Sequence, residues 1–160
     1  MDRGPARAGK STGCATLTNV RDLTAADLDD LVALQLPCFG TEAWTRSMVG
    51  EELSRPGAVL LGVSAPVEAF VFAYVAVEEL HLLQIATAPH ARRKGLGAAL
   101  LTELVRRTQH SVSTGWLEVR GDNGPARALY AALSWEEVSV RRRYYADGCD
   151  AVVYRYTLRP

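Results

Sequence analysis

"QIATAPHARRKGLGAALLTELV", residues 84–105, is the stretch from which the rest of the chain is read. It opens on an apolar run that suits a strand to about Thr87, and Pro89 stops it. A basic loop, Arg92-Arg93-Lys94, follows, and Gly95 and Gly97 lead into leucines at 96, 100 and 104. That spacing, with Leu101 and Val105 beside it, predicts an amphipathic helix. A glycine lets a ligand approach the backbone, and a helix start offers unpaired N–H donors and about half a positive charge. Three adjacent cations add attraction for a polyanion, so the segment suits a pyrophosphate. Its other reading is a helix start whose small residues serve packing. Position 100 is Leu, so the third glycine of a dinucleotide fingerprint is missing. With no acid at a matching strand end for a ribose, a nicotinamide cofactor is disfavoured.

"GPARAGKS", residues 4–11, fits the phosphate-binding pattern G-x-x-x-x-G-K-[ST] letter for letter. That pattern works between a strand and a helix. Only Met1, Asp2 and Arg3 precede it, and Ser11, Thr12 and Gly13 do not read as a helix start. Residues 1–15 are therefore expected to be a disordered basic tail, and residues 16–160 one domain.

The 160 residues are 48% hydrophobic and 22% charged, the balance of a globular protein. A net charge of +0 gives no electrostatic case for a nucleic-acid or membrane partner. No apolar stretch approaches a membrane span, and no signal peptide is visible. Cys14, Cys38 and Cys149 are odd in number and far apart, which suggests reduced thiols in a cytoplasm. Neither they nor His81, His90 and His110 have ligand spacing, so no metal site is expected.

Outward from the central stretch, strands alternate with helices and then pair locally. Residues 16–23 open as a strand, and Thr24 caps a helix that runs to about Leu36, limited by Pro37. A second helix is read over 41–53, and strands over 58–63, 69–80 and 81–88. After the long helix come a strand at 114–121 and a short helix at 123–133. A hairpin follows, "EEVSVRRRYY" and "DAVVYRYTL", turning about Ala146, Asp147 and Gly148. This is an α/β chain with a mixed sheet.

"RRKGLGA" resembles the Q/R-x-x-G-x-G/A signature of the GCN5-related N-acetyltransferases, a family that takes acetyl-coenzyme A. "WLEVRGDNGPARALYAAL" and "RRRYYADGCDAVVYRYTL" resemble its bacterial ribosomal-protein-alanine branch. The resemblance covers residues 16–158. It implies a single-domain fold with a mostly antiparallel central sheet and about four helices. It also implies acetyl transfer to the N-terminal amine of a protein, such as a ribosomal protein.

Read from the residues, Glu118 is a carboxylate in an apolar strand, on one face with Trp116 and Arg120. It is either a solvent-facing acid paired with Arg120 or a reactive group; the resemblance makes it the proton acceptor. Tyr130 is either a buried aromatic beside Leu129 and Leu133 or, by the resemblance, the proton donor to the departing thiolate. Asn123 falls where the resembled family has an asparagine that contacts the cofactor, and either Asp122 or Asn123 suits the cap of the short helix. The resemblance assigns Ile85, Ala86 and Thr87 to the acetyl and pantetheine portions, and Arg92, Arg93, Lys94, Gly95, Leu96, Gly97 and Ala98 to the pyrophosphate. Thr87 stands where the family usually has Val, and Ser134 where it commonly has Gly. Tyr144 and Tyr145 are expected to wall the peptide site. Trp44 and Cys38 either line its other wall or belong to the core. Arg141, Arg142 and Arg143 are expected on alternating faces of a strand, not as one patch.

The amine type follows from magnitudes. An α-amino group titrates near ~8 and a lysine near ~10.4, so a single carboxylate base suffices more readily for an N-terminus. Acetylation of a small amine or a lysine, and a non-catalytic acetyl-coenzyme A sensor, remain open on these residues.

Overall fold

Among the described residues seven strands hydrogen-bond in the order β1-β2-β3-β4-β5-β7-β6. They are β1 Val20–Asp22, β2 Ala58–Val63, β3 Ala69–Ala76, β4 Glu79–Thr87, β5 Thr114–Arg120, β6 Glu136–Arg141 and β7 Ala151–Thr157. Every pairing is antiparallel except β4 with β5. This computed structural model describes residues 18–158. The octapeptide at 4–11, the expected tail and Cys14 lie outside the described residues.

Within the described residues four helices cover the sheet: α1 Leu28–Phe39, α2 Arg46–Leu53, α3 Leu96–Thr108 and α4 Gly124–Ala132. On one face, Leu100, Leu101 and Leu104 of α3 and Tyr130 of α4 pack on Leu80, Leu82, Leu117 and Val152. On the other, Leu31 of α1 and Val49 of α2 pack on Phe70 and Phe72. The sheet thus separates two apolar cores, which is why β2 and β3 read as continuous apolar runs.

Several boundaries differ from the sequence reading. Thr24 caps a 3-10 turn, Ala25–Asp27, before α1; the Asp27 carboxylate reciprocally accepts from the Thr24 N–H at 2.9 Å. Pro37 does not end α1, which continues to Phe39. In the last turn the proline forgoes only its own bond to the carbonyl of Ala33, and Gly40, with φ 55°, then breaks the helix. Residues 41–53 are not one helix: a 3-10 turn at Gly40–Glu42 is followed by α2, whose cap is Thr45. The first central hairpin breaks at Val77 and Glu78, not between Leu80 and His81. Both turn residues have positive φ, 48° and 62°, as a two-residue hairpin turn demands. The last hairpin is shorter than expected, because β6 ends at Arg141. Arg142, Arg143, Tyr144 and Tyr145 therefore belong to a loop, and strand alternation does not apply to Arg142.

Two irregularities in β4 shape the centre. Its pairing with β3 slips at Leu83, which has no partner. Leu80, Leu82 and Ile85 consequently face α3 while Leu83 and Ala86 face α1. Its parallel pairing with β5 covers only Glu79–His81 against Thr114–Trp116. Beyond that the two strands separate, and the sheet has a gap at its middle.

Candidate active site

The gap between β4 and β5 opens into a cleft of about 810 Å³. Glu118 and Tyr130 both line it, although they start from opposite faces of the sheet. Leu117 and Val119 point into the core under α3, so Glu118 between them points to the α1 face. Tyr130 comes from α4, packed on the α3 face against Trp135 and Tyr154. Only the separation of β4 from β5 lets a carboxylate and a phenol from the two faces meet one space.

Glu118 is an ion-paired acid, but its partner is Arg141, at 3.0 Å, not Arg120. Val153 of β7 lies between them in register, opposite Glu118 on one side and Ser139 on the other. Arg141, two residues beyond Ser139, reaches diagonally across. Arg120 instead holds the β6–β7 loop: its guanidinium meets Asp147 at 2.6 Å and Asp122 at 3.0 Å, and lies 4.8 Å from the centre of the Tyr145 ring. Tyr144 and Tyr145 are packed edge to face, and both line the cleft. Burial and the nearby carboxylates of Glu118 and Glu42 push the Tyr145 hydroxyl up to about 12. Burial also pushes the Tyr130 hydroxyl well above the usual tyrosine range. Both phenols therefore keep their protons at neutral pH.

On the α3 side, Gly95 caps the helix in the left-handed region, with φ 77°, and Arg93 also has a positive φ of 63°. The first intrahelical bond is from the Ala99 N–H to the Gly95 carbonyl, at 3.0 Å. The N–H groups of Leu96, Gly97 and Ala98 precede it at the helix start. A Cβ on Gly97 would stand 3.1 Å from Leu129 Cδ2, so this glycine lets α4 sit close beside α3. Arg92 turns back, its Nε donating to the Thr87 carbonyl at 3.2 Å. Asn123 caps α4, accepting from the Ala126 N–H at 3.2 Å, and also lines the cleft.

Trp44 stacks on Phe72 and lines the cleft, so it is at once a core and a wall residue. Cys38 does the same beside β4, its thiol donating to the Thr87 carbonyl at 3.6 Å. Burial pushes that thiol up, away from thiolate character.

Residues 28–135 match the model of the Acetyltransferase (GNAT) family. The chain belongs to the GNAT acetyltransferase family. Over 151 residues it is 33% identical to the N-alpha-acetyltransferase RimI of Mycobacterium tuberculosis, covering 86% of this chain and 88% of that one. It is 44% identical over 89 residues to the ribosomal protein bS18-alanine N-acetyltransferase of Escherichia coli, a match covering 53% of this chain and 60% of that protein. The crystal structure of the E. coli ribosomal-protein-S18-alanine N-acetyltransferase superposes with a TM-score of 0.82 at 28% identity, over 89% of this chain and 95% of that one. An Arabidopsis thaliana NAA60 structure solved with acetyl-CoA shares the fold, with a TM-score of 0.79 at 16% identity over 88% and 98% of the two chains.

Of the residues that the resemblance assigns to the cofactor, Ile85 and Asn123 line the cleft, whereas Ala86, Thr87 and residues 92–98 are not part of its lining. Among the described residues, no helix is long and apolar enough to cross a membrane. Arg141, Glu42 and His81 also line the cleft, although the sequence reading gave none of them a place in the site. Arg141 had no local signal, because its partner is two strands away. Gln35, which is buried and accepts from the N–H of the wall residue Trp44 at 2.9 Å, did have one: it is a polar residue within the apolar run "LVALQL".

Proposed function

We propose that this GNAT chain transfers acetyl from acetyl-CoA to the N-terminal amine of a protein, with alanine as the first residue of a ribosomal acceptor. The convergence of Glu118 and Tyr130 on one cleft, from the two faces of the sheet, carries the reading. The names of the bacterial relatives support the acceptor.

The fit to acetyl-CoA rests on the donors around the gap. The N–H groups of Leu96, Gly97 and Ala98, with Arg92, Arg93 and Lys94, hold the pyrophosphate at the α3 start. The backbone of Ile85, Ala86 and Thr87, on the side that β5 leaves, holds the pantetheine and acetyl portions as an added strand would be held. Asn123 supports the same ligand from the start of α4. Bound acetyl-CoA supplies an acetyl group already activated as a thioester.

The acceptor enters from the opposite face, between Trp44 and the Tyr144–Tyr145 loop. Glu118 takes the proton of its ammonium group and leaves a neutral amine. Arg141 gives way to the amine as the carboxylate changes partner. Tyr130 holds its proton toward the departing sulfur. A thiol titrates near ~8.5 and a phenol near ~10, so full transfer from Tyr130 is uphill. Burial raises the Tyr130 value further, and the phenol acts mainly by hydrogen-bond donation.

Thiol release from acetyl-CoA with three peptides tests the reading. One starts with free Ala, one starts with free Ser, and one is blocked at its N-terminus but carries an internal Lys. Release with the free N-termini alone is expected, fastest with Ala. Release only with the lysine peptide, or with none, overturns it. Residues 16–160 are proposed to form the catalytic domain, so deleting residues 1–15 leaves the activity in place.

A further inference from the structure

One cross-strand row runs over the α1 face of the sheet below the reactive residues. Tyr74 of β3 pairs in register with His81 of β4, His81 with Trp116 of β5, Trp116 with Arg155 of β7, and Arg155 with Glu136 of β6. The row is partly open: Tyr74, His81 and Trp116 are all half-buried, and all three line the cleft.

The rings are ordered. Tyr74 and His81 stack at 4.9 Å with planes 15° apart. Arg55 covers the free face of Tyr74, 4.9 Å from the ring centre. Among the described residues no ring stacks on the other face of His81, on the side where β4 and β5 begin to separate.

The charges are unbalanced. Arg55 is neutralised by Glu52 at 2.7 Å, and Arg155 faces Glu136 at 3.5 Å. Among the described residues, Glu79, on the same face of β4 as His81, has only the His81 imidazole, at 3.4 Å, and its side chain is 46% exposed. Among the described residues no guanidinium or ammonium group pairs with that carboxylate at the foot of the cleft. Stacked rings beside a carboxylate that no guanidinium or ammonium group meets match an added guanidinium, which lies flat on aromatic faces while its edge donates to an acid.

Trp116 precedes Glu118 by two residues, about 6.6 Å along the strand. An extended acceptor whose amine meets Glu118, and whose chain runs from there along β5 toward Trp116, covers that distance in two residues and brings its third side chain to this row.

We propose that Tyr74, His81, Trp116 and Glu79 form a specificity subsite for an arginine side chain at the third position of the acceptor. The proposal rests on the N-terminal acceptor reading above.

The test is steady-state transfer to hexapeptides that all start with Ala, with a single Arg placed in turn at positions 2, 3, 4 and 5, beside an Arg-free control and a control with Glu at position 3. With Arg at position 3, kcat/KM is expected to exceed the Arg-free control by about tenfold, for one cation–aromatic contact and one half-exposed ion pair. Glu at position 3 is expected to be the poorest. Glu79→Gln and His81→Ala are each expected to shrink the Arg-to-control ratio at position 3 to about threefold or less. Equal rates at every Arg position, an optimum elsewhere, or a ratio unmoved by both variants overturns the subsite, while turnover of the free peptides still upholds the acceptor reading. Turnover of no peptide overturns both.

Discussion

The side-chain amides of Gln35 and Gln84 exchange hydrogen bonds of 2.8 and 3.3 Å across the buried seam between α1 and β4. The Gln35 carbonyl oxygen also accepts from the Trp44 N–H at 2.9 Å. One buried amide thus ties the strand beside the gap to the loop that walls the acceptor side. Gln35→Leu leaves the Trp44 N–H and the Gln84 amide without partners, which costs about 1–3 kcal/mol. The expected outcome is a lower midpoint in urea, with KM for an acceptor peptide rising more than kcat falls. An unchanged KM in a destabilised variant would separate the packing role from the positioning one.

Glu118→Gln keeps the size of the side chain and removes the proton acceptor. Its kcat is expected to fall by about 10²–10⁴-fold while acetyl-CoA still binds. Calorimetry with coenzyme A and a thiol-release assay over about pH 6 to 9 check the two halves. An unchanged kcat across that range sinks the base assignment.

Tyr130→Phe removes a hydrogen-bond donor from the buried end of the cleft. Its kcat is expected to fall while KM for the peptide holds. The same variant has a signature in alkaline stability. The folded value of Tyr130 is raised, so its stabilising contribution is complete below the unfolded value of about 10. Above that pH the unfolded chain loses the proton first, and stability falls by about 1.4 kcal/mol per pH unit for this one group. Thermal melts of the wild type are expected to drop above about pH 10, and those of Tyr130→Phe to drop less.

Glu103 gives the opposite sign. Arg106 and Arg107, at 2.8 and 2.7 Å, hold its carboxylate down at about 2. A lowered folded value contributes above the unfolded value and is lost as pH falls toward the folded one. Melts between about pH 4.5 and 2 are expected to show a smaller acid loss in Glu103→Gln. The difference should shrink in high salt, because these groups are near solvent.

Ser134 has a φ of 66° after α4, where Trp135 N–H meets the Tyr130 carbonyl at 3.0 Å and Ser134 N–H meets the Ala131 carbonyl at 3.2 Å. This is the double closure of a helix end that favours glycine. Ser134→Gly is expected to raise stability by about 0.5–1 kcal/mol, with KM for both substrates unchanged. A lower melting temperature would contradict the conformational account.

By itself the sequence determined what depends on near neighbours. The run from Gln84 to Val105 specified strand, cationic loop and helix, because hydrophobic period and glycine placement act within a few residues. Thr24, Thr45 and Asn123 were available as helix caps for the same reason, although Thr45 escaped notice inside a helix read over 41–53. The face of Glu118 followed from strand alternation. The strand break at Val77 and Glu78 was not legible, since neither residue favours positive φ and only pairing of β3 with β4 imposes it. Tertiary structure alone decided that Glu118 pairs with Arg141, because that contact depends on the registers of β5, β7 and β6 together. It alone set the β4–β5 gap, which arises where two parallel strands separate after three pairs. The sequence supplied a carboxylate and a phenol twelve positions apart; the opening in the sheet puts them in one cleft, because only there can opposite faces of a sheet share a space.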